Sequence, residues 1–447
     1  MNNIAQKLKI VTSYNILMQF ANDSGFIIKR LLPSFGKCRQ QPPAKQMRGI
    51  IEKIYADFVK GENYYRTRIP QVKANVRSND SITHGDMFGH YFVPESVRGF
   101  IQENGVHQLE YRCVILERNI TIRIMLFSKS ELMNMEKYEG YVSFMCIWLY
   151  ICIRHASNAS CKSLTIYLYP TRMKKQLPPR KEQHLGVGNV NSALTSRCAR
   201  NTGEIIIYRE EEWRKVFIHE TFHTFCFDIE PHVERDIHAG LSGIFPIRSI
   251  FSASEAYAET WARIMNAAYA SYESTRKNKE GLKQFTVYFN FSLQMERMFS
   301  LLQMNKTLGF QDMNYDNLLL DKSKSKSNSK SNSNSNSKSN SNSKTRKRKQ
   351  GIHIHPYQED PNTNVFGYFV LSGILMNGYS DFLIWCQTHN TNLFKFSKVS
   401  SAVSGSFVKL IEKCRSKEQC KMTGVFGDGN RDKFLSNTTR MSIIELS

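Results

Sequence analysis

The chain has 447 residues, of which 41% are apolar and 12% aromatic, so most of it can form hydrophobic cores divided over two or three domains. Its longest apolar run, residues 141–153, is too short to cross a bilayer and predicts a buried helix. The first residues lack the pattern of a signal peptide. We therefore expect no membrane partner, which excludes the integral membrane proteins.

The net charge of +22 favours acidic partners, but much of it lies in one low-complexity tract. Residues 322–349 hold ten Lys and Arg and no acid, leaving 51 basic against 39 acidic residues, a net +12, elsewhere. A Lys/Ser/Asn tract has almost no apolar surface to bury, so we predict a disordered linker over 321–350. Its end, KTRKRK (344–349), is either a solvated linker or a nuclear-import or nucleic-acid patch. A second basic cluster surrounds a Pro-Pro pair: Arg172, Lys174, Lys175, Arg180 and Lys181.

Hydrophobic periodicity gives the order of the elements. The chain before residue 109 is predicted to be mostly helical, with its clearest helix over 46–60. The following strands are predicted at 110–116, 120–127, 163–169 and 203–209, and the helices at about 130–156, 211–227, 252–272 and 281–303. This order is consistent with a mixed sheet and helices packed on it, an α+β fold.

The composition divides the chain into four parts. We predict a mostly helical N-terminal region over 1–108, an α+β domain over 109–320, the linker over 321–350 and a helical C-terminal region over 351–447. The last region has helical patterns at 364–387 and 400–417. It either closes one wall of a cleft in the α+β domain or forms an independent module.

His219, Glu220 and His223 form the motif H-E-x-x-H inside the helix predicted over 211–227. Residues four apart share a face of a helix, so the two imidazoles can bind one metal ion. Two His nitrogens, an open coordination position and an adjacent carboxylate to accept a proton from bound water are what a zinc hydrolase requires. The pattern predicts a Zn²⁺ site with Glu220 as general base. Two surface histidines at this spacing by chance are the alternative.

The helix predicted over 252–272 carries two acids at helical spacing, Glu255 and Glu259. Their apolar neighbours, among them Ala256 and Trp261, make a poorly solvated surface. We expect Glu255 to be the third metal ligand and Glu259 to support it by accepting the N–H of a metal-bound His. Exchanged roles for the two acids, or two solvated acids on an amphipathic helix, remain open.

The two motifs together, HETFH at 219–223 and SEAYAE at 254–259, resemble the gluzincin branch of zinc metallopeptidases. In that family the third ligand is a Glu on a downstream helix, often followed four residues later by an acid. The resemblance implies a zincin-like catalytic domain with His219, His223 and Glu255 as zinc ligands and Glu220 as general base.

The resemblance covers residues 189–272 and has two departures. Glu259 stands where an Asp is more usual, and the related metzincin pattern fails because Cys226 and Ile229 replace its Gly and His. The wider chain is similar to uncharacterised metallopeptidase-like proteins of giant nucleocytoplasmic DNA viruses. The family also implies a Tyr or His that stabilises the oxyanion. Four residues are within sequence reach: His232, His238, Tyr257 and Tyr269.

Residues 189–195, NVNSALT, weakly resemble the edge strand with which such enzymes hold an extended peptide. A loop in which Asn191 makes a turn is the equal alternative.

Ten Cys without a C-x-x-C pair indicate a reducing, intracellular location: the cytoplasm of a host cell or a virion, with the nucleus also open. We expect Cys113, Cys146 and Cys152 to be small buried side chains, while Cys414 and Cys420 could pair.

Three functions are consistent with the sequence. The first is a zinc endopeptidase acting on a protein or peptide substrate. The second is a DNA-associated protease that cleaves nucleic-acid-bound proteins, suggested by the basic segments. The third is a non-catalytic basic interaction protein that retains the fold. The sequence does not indicate an oligomeric state.

Overall fold

The computed structural model describes residues 20–38, 45–69, 73–179, 184–245, 247, 249–277, 279–319, 357, 359–360, 363–397, 401–419 and 430–446. Across these residues, helices surround a six-stranded mixed sheet, so the α+β class is confirmed. The predicted linker, the KTRKRK segment and the basic residues Arg180 and Lys181 lie outside the described residues.

The sheet has the strand order β1-β2-β3-β4-β6-β5. Its strands are β1 Asn75–Ser78, β2 His107–Ile115, β3 Arg118–Leu126, β4 Ser163–Leu168, β5 Ala193–Thr195 and β6 Thr202–Ile207. The first three pair antiparallel, β3, β4 and β6 run parallel, and β5 lies antiparallel at the edge. Leu116 and Glu117, with φ angles of 43° and 65°, form the two-residue hairpin between β2 and β3.

The described helices are α1 Asn22–Phe35, α2 Lys45–Arg68, α3 Glu95–Asn104, α4 Met135–His155, α5 Val187–Val190, α6 Trp213–Thr224, α7 Pro231–Ile244, α8 Ala253–Thr275, α9 Gly281–Phe310, α10 Tyr315–Leu319, α11 Ser372–Asn377, α12 Tyr379–His389, α13 Ser401–Arg415 and α14 Asn430–Asn437. A π-helical turn, Phe366–Leu371, precedes α11. Helix α4 is apolar on nearly every side and is buried, as residues 141–153 predict.

The two faces of the sheet pack against different layers. Alternate residues of a strand point to opposite faces. Ile205 and Ile207 therefore join the main core with α4, α6 and α8, whereas Ile206 and Tyr208 face a smaller cluster that includes Phe88. The motif helix α6 lies on the main-core face, against β5, β6 and α8. The sheet thus holds α6 between a strand edge and a second helix.

The N-terminal and C-terminal regions are less regular than the sequence predicts. Strand β1 and two 3₁₀ turns lie between α2 and α3, within the region over 1–108 that is predicted to be mostly helical. The predicted helix over 364–387 begins with the π-helical turn, which continues into α11. The chain then bends at Gly378, so that α12 is a separate helix. After α14 the chain has no regular element and packs into the core: Ile443 and Ile444 are buried.

None of the described helices is by itself long and apolar enough to cross a membrane. One pair, Phe366–Asn377 with Tyr379–His389, reaches the required length and composition together, but is bent by 92°.

The cysteines form a pattern that the sequence does not reveal. Cys198 and Cys226 are joined by a disulfide, and Cys38 is also disulfide-bonded. Cys146 and Cys152 are free and buried and Cys113 is half-buried, close to what is expected of them. Cys414 is also free and buried, so its suggested pairing with Cys420 is wrong.

Candidate metal centre

Helix α6 carries the H-E-x-x-H motif in an almost wholly buried position. All of its residues except Arg214 are buried, because α6 fits between the sheet and α8. The ring of Phe222 stacks on that of Trp261 of α8, with centroids 6.3 Å apart. Trp148 of α4 donates its indole N–H to Thr221 Oγ1 at 2.9 Å. Packing on every side therefore fixes which way the motif side chains point.

Three side chains converge on one point. His219 Nε2 and His223 Nε2 are 3.1 Å apart, and Glu255 Oε2 lies 3.1 Å from the first and 3.2 Å from the second. Ligand atoms bound to a single Zn²⁺ at about 2.1 Å in tetrahedral geometry would be about 3.4 Å apart. The three atoms have nearly this spacing and are a donor set of the kind that binds zinc, so the group could hold a metal ion.

Each His has a carboxylate at its other ring nitrogen. His223 Nδ1 lies 2.6 Å from Asp228 Oδ2 and can donate its N–H to it. His219 Nδ1 lies 3.2 Å from Glu259 Oε2, although this contact is not aligned as a hydrogen bond. Carboxylates at these positions orient a ligating imidazole and raise its basicity. The structure thus brings Glu259 to the position predicted for it and adds Asp228.

Glu259 is kept ionised by two cations. Lys215 Nζ lies 3.0 and 2.9 Å from its two oxygens, and Arg263 Nε lies 3.0 Å from Oε1. Burial alone would raise the pKa of Glu259, but the charges of Lys215 and Arg263 lower it well below its usual value. Lys215 lies one helical turn before His219. Helix α6 therefore carries both His219 and the lysine that holds Glu259 beside it.

Asp228 was not singled out from the sequence. It follows a tight turn after α6 in which Cys226 has a φ of 56°, a conformation more usual for Gly. Because Cys gives no turn signal, the sequence could not show that the chain folds back at this point. Asp228 is also held by Ser254 Oγ at 3.0 Å and by Arg197 Nη2 at 3.0 Å.

Glu220 faces a small cavity of about 30 Å³, which has room for a water molecule or two. Burial raises the pKa of Glu220, and Glu255 raises it too, while His219 and His223 oppose the rise. A carboxylate with a raised pKa is a stronger base. The cavity is lined by Lys175, Val190, Asn191, Ser192, Ala193, Lys215, Val216, His219, Glu220, Glu259, Tyr368 and Met441.

A much larger open cleft, of about 920 Å³, lies near the start of α6, lined by Trp213, Tyr141 and Glu273 among others. The H-E-x-x-H residues, Glu255 and Glu259 are absent from its lining. The chemistry of the donors, rather than the volume of the cleft, therefore locates the centre.

Tyr368 is the tyrosine in the lining of the cavity at Glu220. Its ring lies 5.9 Å from that of His219, centroid to centroid, and it stands on the π-helical turn. Burial raises the pKa of Tyr368 well above its usual value, and the nearby Glu255 and Glu220 raise it further. The hydroxyl therefore stays protonated and able to donate.

The four donors proposed from the sequence lie elsewhere. His232 is largely exposed beside Glu230, and the ring of His238 packs on Phe251. The hydroxyl of Tyr257 donates to Phe394 O at 2.7 Å, and that of Tyr269 points toward Glu273 at 3.4 Å. These placements exclude the four residues from the described cavity. Sequence spacing could not reveal Tyr368, because the low-complexity tract separates it from the motif.

Residues 189–195 contain features of both alternatives for NVNSALT. Ala193–Thr195 is the edge strand β5, antiparallel to β6, whereas Asn191 ends α5 and donates its backbone N–H to Val187 O at 3.0 Å. Asn191 Oδ1 and Ser192 Oγ are buried at the cavity, and neither has a hydrogen-bond partner among the described residues. Peptide binding by this segment stays a prediction.

The basic cluster predicted around Pro178-Pro179 is not a continuous patch. Lys175 is buried, with Nζ 2.8 Å from Glu212 Oε2, and Lys174 pairs with Asp23 at 2.5 Å. Arg172 is exposed. A buried, paired lysine cannot contact a nucleic acid. The described part of this cluster is therefore a weaker candidate for nucleic-acid binding than its sequence suggests.

Comparison with known proteins gives no relative. No family model matches the chain, and neither a curated protein nor a solved structure is significantly similar to it. The interpretation of the centre therefore depends on its motifs and its geometry.

Proposed function

We propose that the protein is a zinc-dependent endopeptidase with a zincin-like catalytic domain, acting on protein or peptide substrates. The observation that carries the proposal is the convergence of His219 Nε2, His223 Nε2 and Glu255 Oε2 within 3.2 Å of one another, with Glu220 next to them in sequence. This donor set leaves one coordination position for water, as catalytic zinc sites require.

Bound zinc would supply Lewis-acid chemistry, lowering the pKa of a coordinated water to about 7. Glu220 would serve as the general base that accepts a proton from water and as the general acid that gives a proton to the leaving amine. The burial of Glu220 favours this role, because it raises the pKa of the carboxyl toward neutral pH, where a group can both accept and give up a proton. Asp228 and Glu259 keep the two imidazoles oriented.

Tyr368 is suited to stabilise the oxyanion of the tetrahedral intermediate. Tyr368 lines the cavity, and its protonated hydroxyl can donate to a developing negative charge. β5 is the outermost strand of the described sheet, although Ala193 and Leu194 are largely buried, and strand addition at such an edge is a common way to bind an extended peptide. Asn191 and Ser192 provide unmatched polar atoms near the same edge.

The test is a set of single variants assayed for bound zinc and for hydrolysis of unfolded casein. Glu220→Gln should keep about one zinc per chain and lose at least about 100-fold in kcat, because the amide cannot accept the proton. Glu255→Ala should lose zinc or bind it much more weakly. Glu103→Gln, an exposed acid on α3, is the control and should match the wild type.

Two results would contradict the proposal. A folded wild-type protein without affinity for zinc would make the H-E-x-x-H motif a coincidence and favour the non-catalytic interaction protein. Unchanged hydrolysis by Glu220→Gln would remove the proposed mechanism even if zinc were bound.

A further inference from the structure

The Cys198–Cys226 disulfide joins two segments that meet at the end of the motif helix. Cys198 follows β5, Cys226 lies in the turn after α6, and 28 residues separate them in sequence. Both have left-handed backbone conformations, with φ angles of 52° and 56°. Such angles are unfavourable for residues other than glycine and persist only where the surroundings hold them.

The residues beside Cys198 complete the helix end. The backbone N–H of Cys198 donates to His223 O at 2.8 Å, and that of Ala199 donates to Thr224 O at 3.1 Å. These carbonyls belong to the last turn of α6, which has no further helical N–H groups to satisfy them. The segment after β5 therefore caps the helix at the metal ligand His223.

Arg197, immediately before Cys198, holds the carboxylate behind the same ligand. Its Nη2 lies 3.0 Å from Asp228 Oδ2 and donates to Ile229 O at 2.6 Å. Asp228 is two residues after Cys226 and accepts from His223 Nδ1. The disulfide thus covalently links the segment that carries Arg197 to the segment that carries Asp228.

We propose that Arg197 and the Cys198–Cys226 disulfide together position Asp228 against His223, so that the affinity of the centre for zinc depends on the oxidation state of the disulfide. The proposal rests on the zinc-binding part of the proposed function and not on hydrolysis. Arg197 is 40% exposed, and an ion pair this open to solvent contributes little to stability by itself. The covalent link keeps the two segments close enough for the pair to persist.

Reduction by a dithiol would release this link. The dithiol gives two electrons to the S–S bond and is itself oxidised to a disulfide, and the two protons it loses end on Cys198 and Cys226 as thiols. The left-handed turn at Cys226 can then relax, and Asp228 moves away from His223. By thermodynamic linkage, bound zinc must protect the disulfide from reduction by the same factor by which the disulfide strengthens zinc binding.

The experiment measures zinc affinity by competition with a chromophoric chelator, with folding checked by circular dichroism. The double variant Cys198→Ser/Cys226→Ser and the single variant Arg197→Gln should each bind zinc about 10- to 100-fold more weakly than the oxidised wild type, the usual effect of losing an outer partner of a ligand. Cys38→Ser removes a disulfide cysteine elsewhere and should leave the affinity unchanged.

A second measurement does not require the double variant to fold. The wild type is equilibrated in glutathione buffers of graded redox poise, with and without saturating zinc, and the ratio of disulfide to free thiols at Cys198 and Cys226 is quantified by mass spectrometry. Saturating zinc should raise this ratio about 10-fold or more at a given poise, whereas the Arg197→Gln variant should show a smaller increase.

The outcomes separate this proposal from the previous one. Zinc bound equally by the wild type, Arg197→Gln and the double variant, with no protection of the disulfide, would overturn the positioning role and leave the zinc centre standing. A wild type that binds no zinc would overturn both.

Discussion

The carboxylates of Glu255 and Glu259 lie one helical turn apart on α8 but have different neighbours. Glu259 is 1% exposed, and Lys215 and Arg263 occupy both its oxygens. Glu255 is 19% exposed, and Oε2 faces only the two imidazoles among its ion-pairing contacts. A ligand must offer an oxygen whose charge is not already neutralised, and binding through Glu259 would break two buried ion pairs. The neighbours thus favour Glu255 as the ligand.

Tyr368→Phe tests the hydroxyl nearest the centre. If the hydroxyl donates only to the developing oxyanion, kcat should fall about 10- to 100-fold while KM and bound zinc stay near wild type. Steady-state kinetics on a fluorogenic peptide and zinc analysis give the result. Tyr91→Phe, at an exposed tyrosine, is the control. Unchanged kcat would assign oxyanion stabilisation to another group.

At the scale of elements, the π-helical turn that carries Tyr368 is fixed by a buried carboxyl group. Glu359 Oε2 accepts the N–H of Phe366 at 2.7 Å, at the start of the turn. Burial raises the pKa of Glu359 to about 8, although the bonds from Phe366 and Tyr357 oppose the rise. The turn therefore begins at a group that is neutral in acid and charged in base.

The raised pKa of Glu359 predicts a loss of stability with increasing pH. The folded state binds more protons than the unfolded state between pH 4.5, the ordinary pKa, and about 8, so its contribution is fully present below pH 4.5 and is lost as the pH rises through 8. Between pH 5 and 8 the loss is about 3 kcal/mol. Urea unfolding at both pH values should show a smaller loss for Glu359→Gln than for the wild type or Glu103→Gln. Equal losses in all three proteins would contradict the assignment.

The elements that sequence predicts best are those with strong local patterns. Helix α4 and strand β6 are long apolar runs, and α8 combines good helix formers with a cap from Ser252, so local rules suffice for them. The residues missed, Asp228, Tyr368 and the Cys198–Cys226 pair, take part through contacts distant in sequence or through a turn without Gly. Such contacts depend on tertiary packing, which periodicity does not report.

Over the whole molecule, the C-terminal segment after α14 is built into the core beside the metal centre. Glu212, directly before α6, accepts the N–H of Met441 at 2.7 Å, and Glu296 of α9 accepts those of Ile443 and Ile444 at 3.0 and 2.9 Å. Met441 also lines the cavity at Glu220. Without the segment, Glu296 would lose these donors, and Glu212 would lose its backbone donors and keep the ion pair with Lys175.

A chain ended after Asn437 should accordingly be strongly destabilised. Leaving Glu296 buried without these donors costs about 1–3 kcal/mol, in addition to the backbone hydrogen bond lost by Glu212 and the lost burial of Ile443 and Ile444. We expect thermal unfolding at least about 10 °C lower and weaker zinc binding. Calorimetry of the two proteins provides the measurement. A truncated chain as stable as the full one would show that the segment is not an integral part of the fold.

The candidate centre draws its side chains from both sides of the low-complexity tract: the proposed zinc ligands precede it, and Tyr368 and Met441 follow it. For the linker that the composition predicts, the entropy of closing the connection grows only slowly with its length, by about 0.6 kcal/mol for each doubling. We therefore expect that repeats can be gained or lost in the tract at little thermodynamic cost. The two parts of the chain that meet at the cavity could then vary in their sequence separation while the residues that line it stay the same.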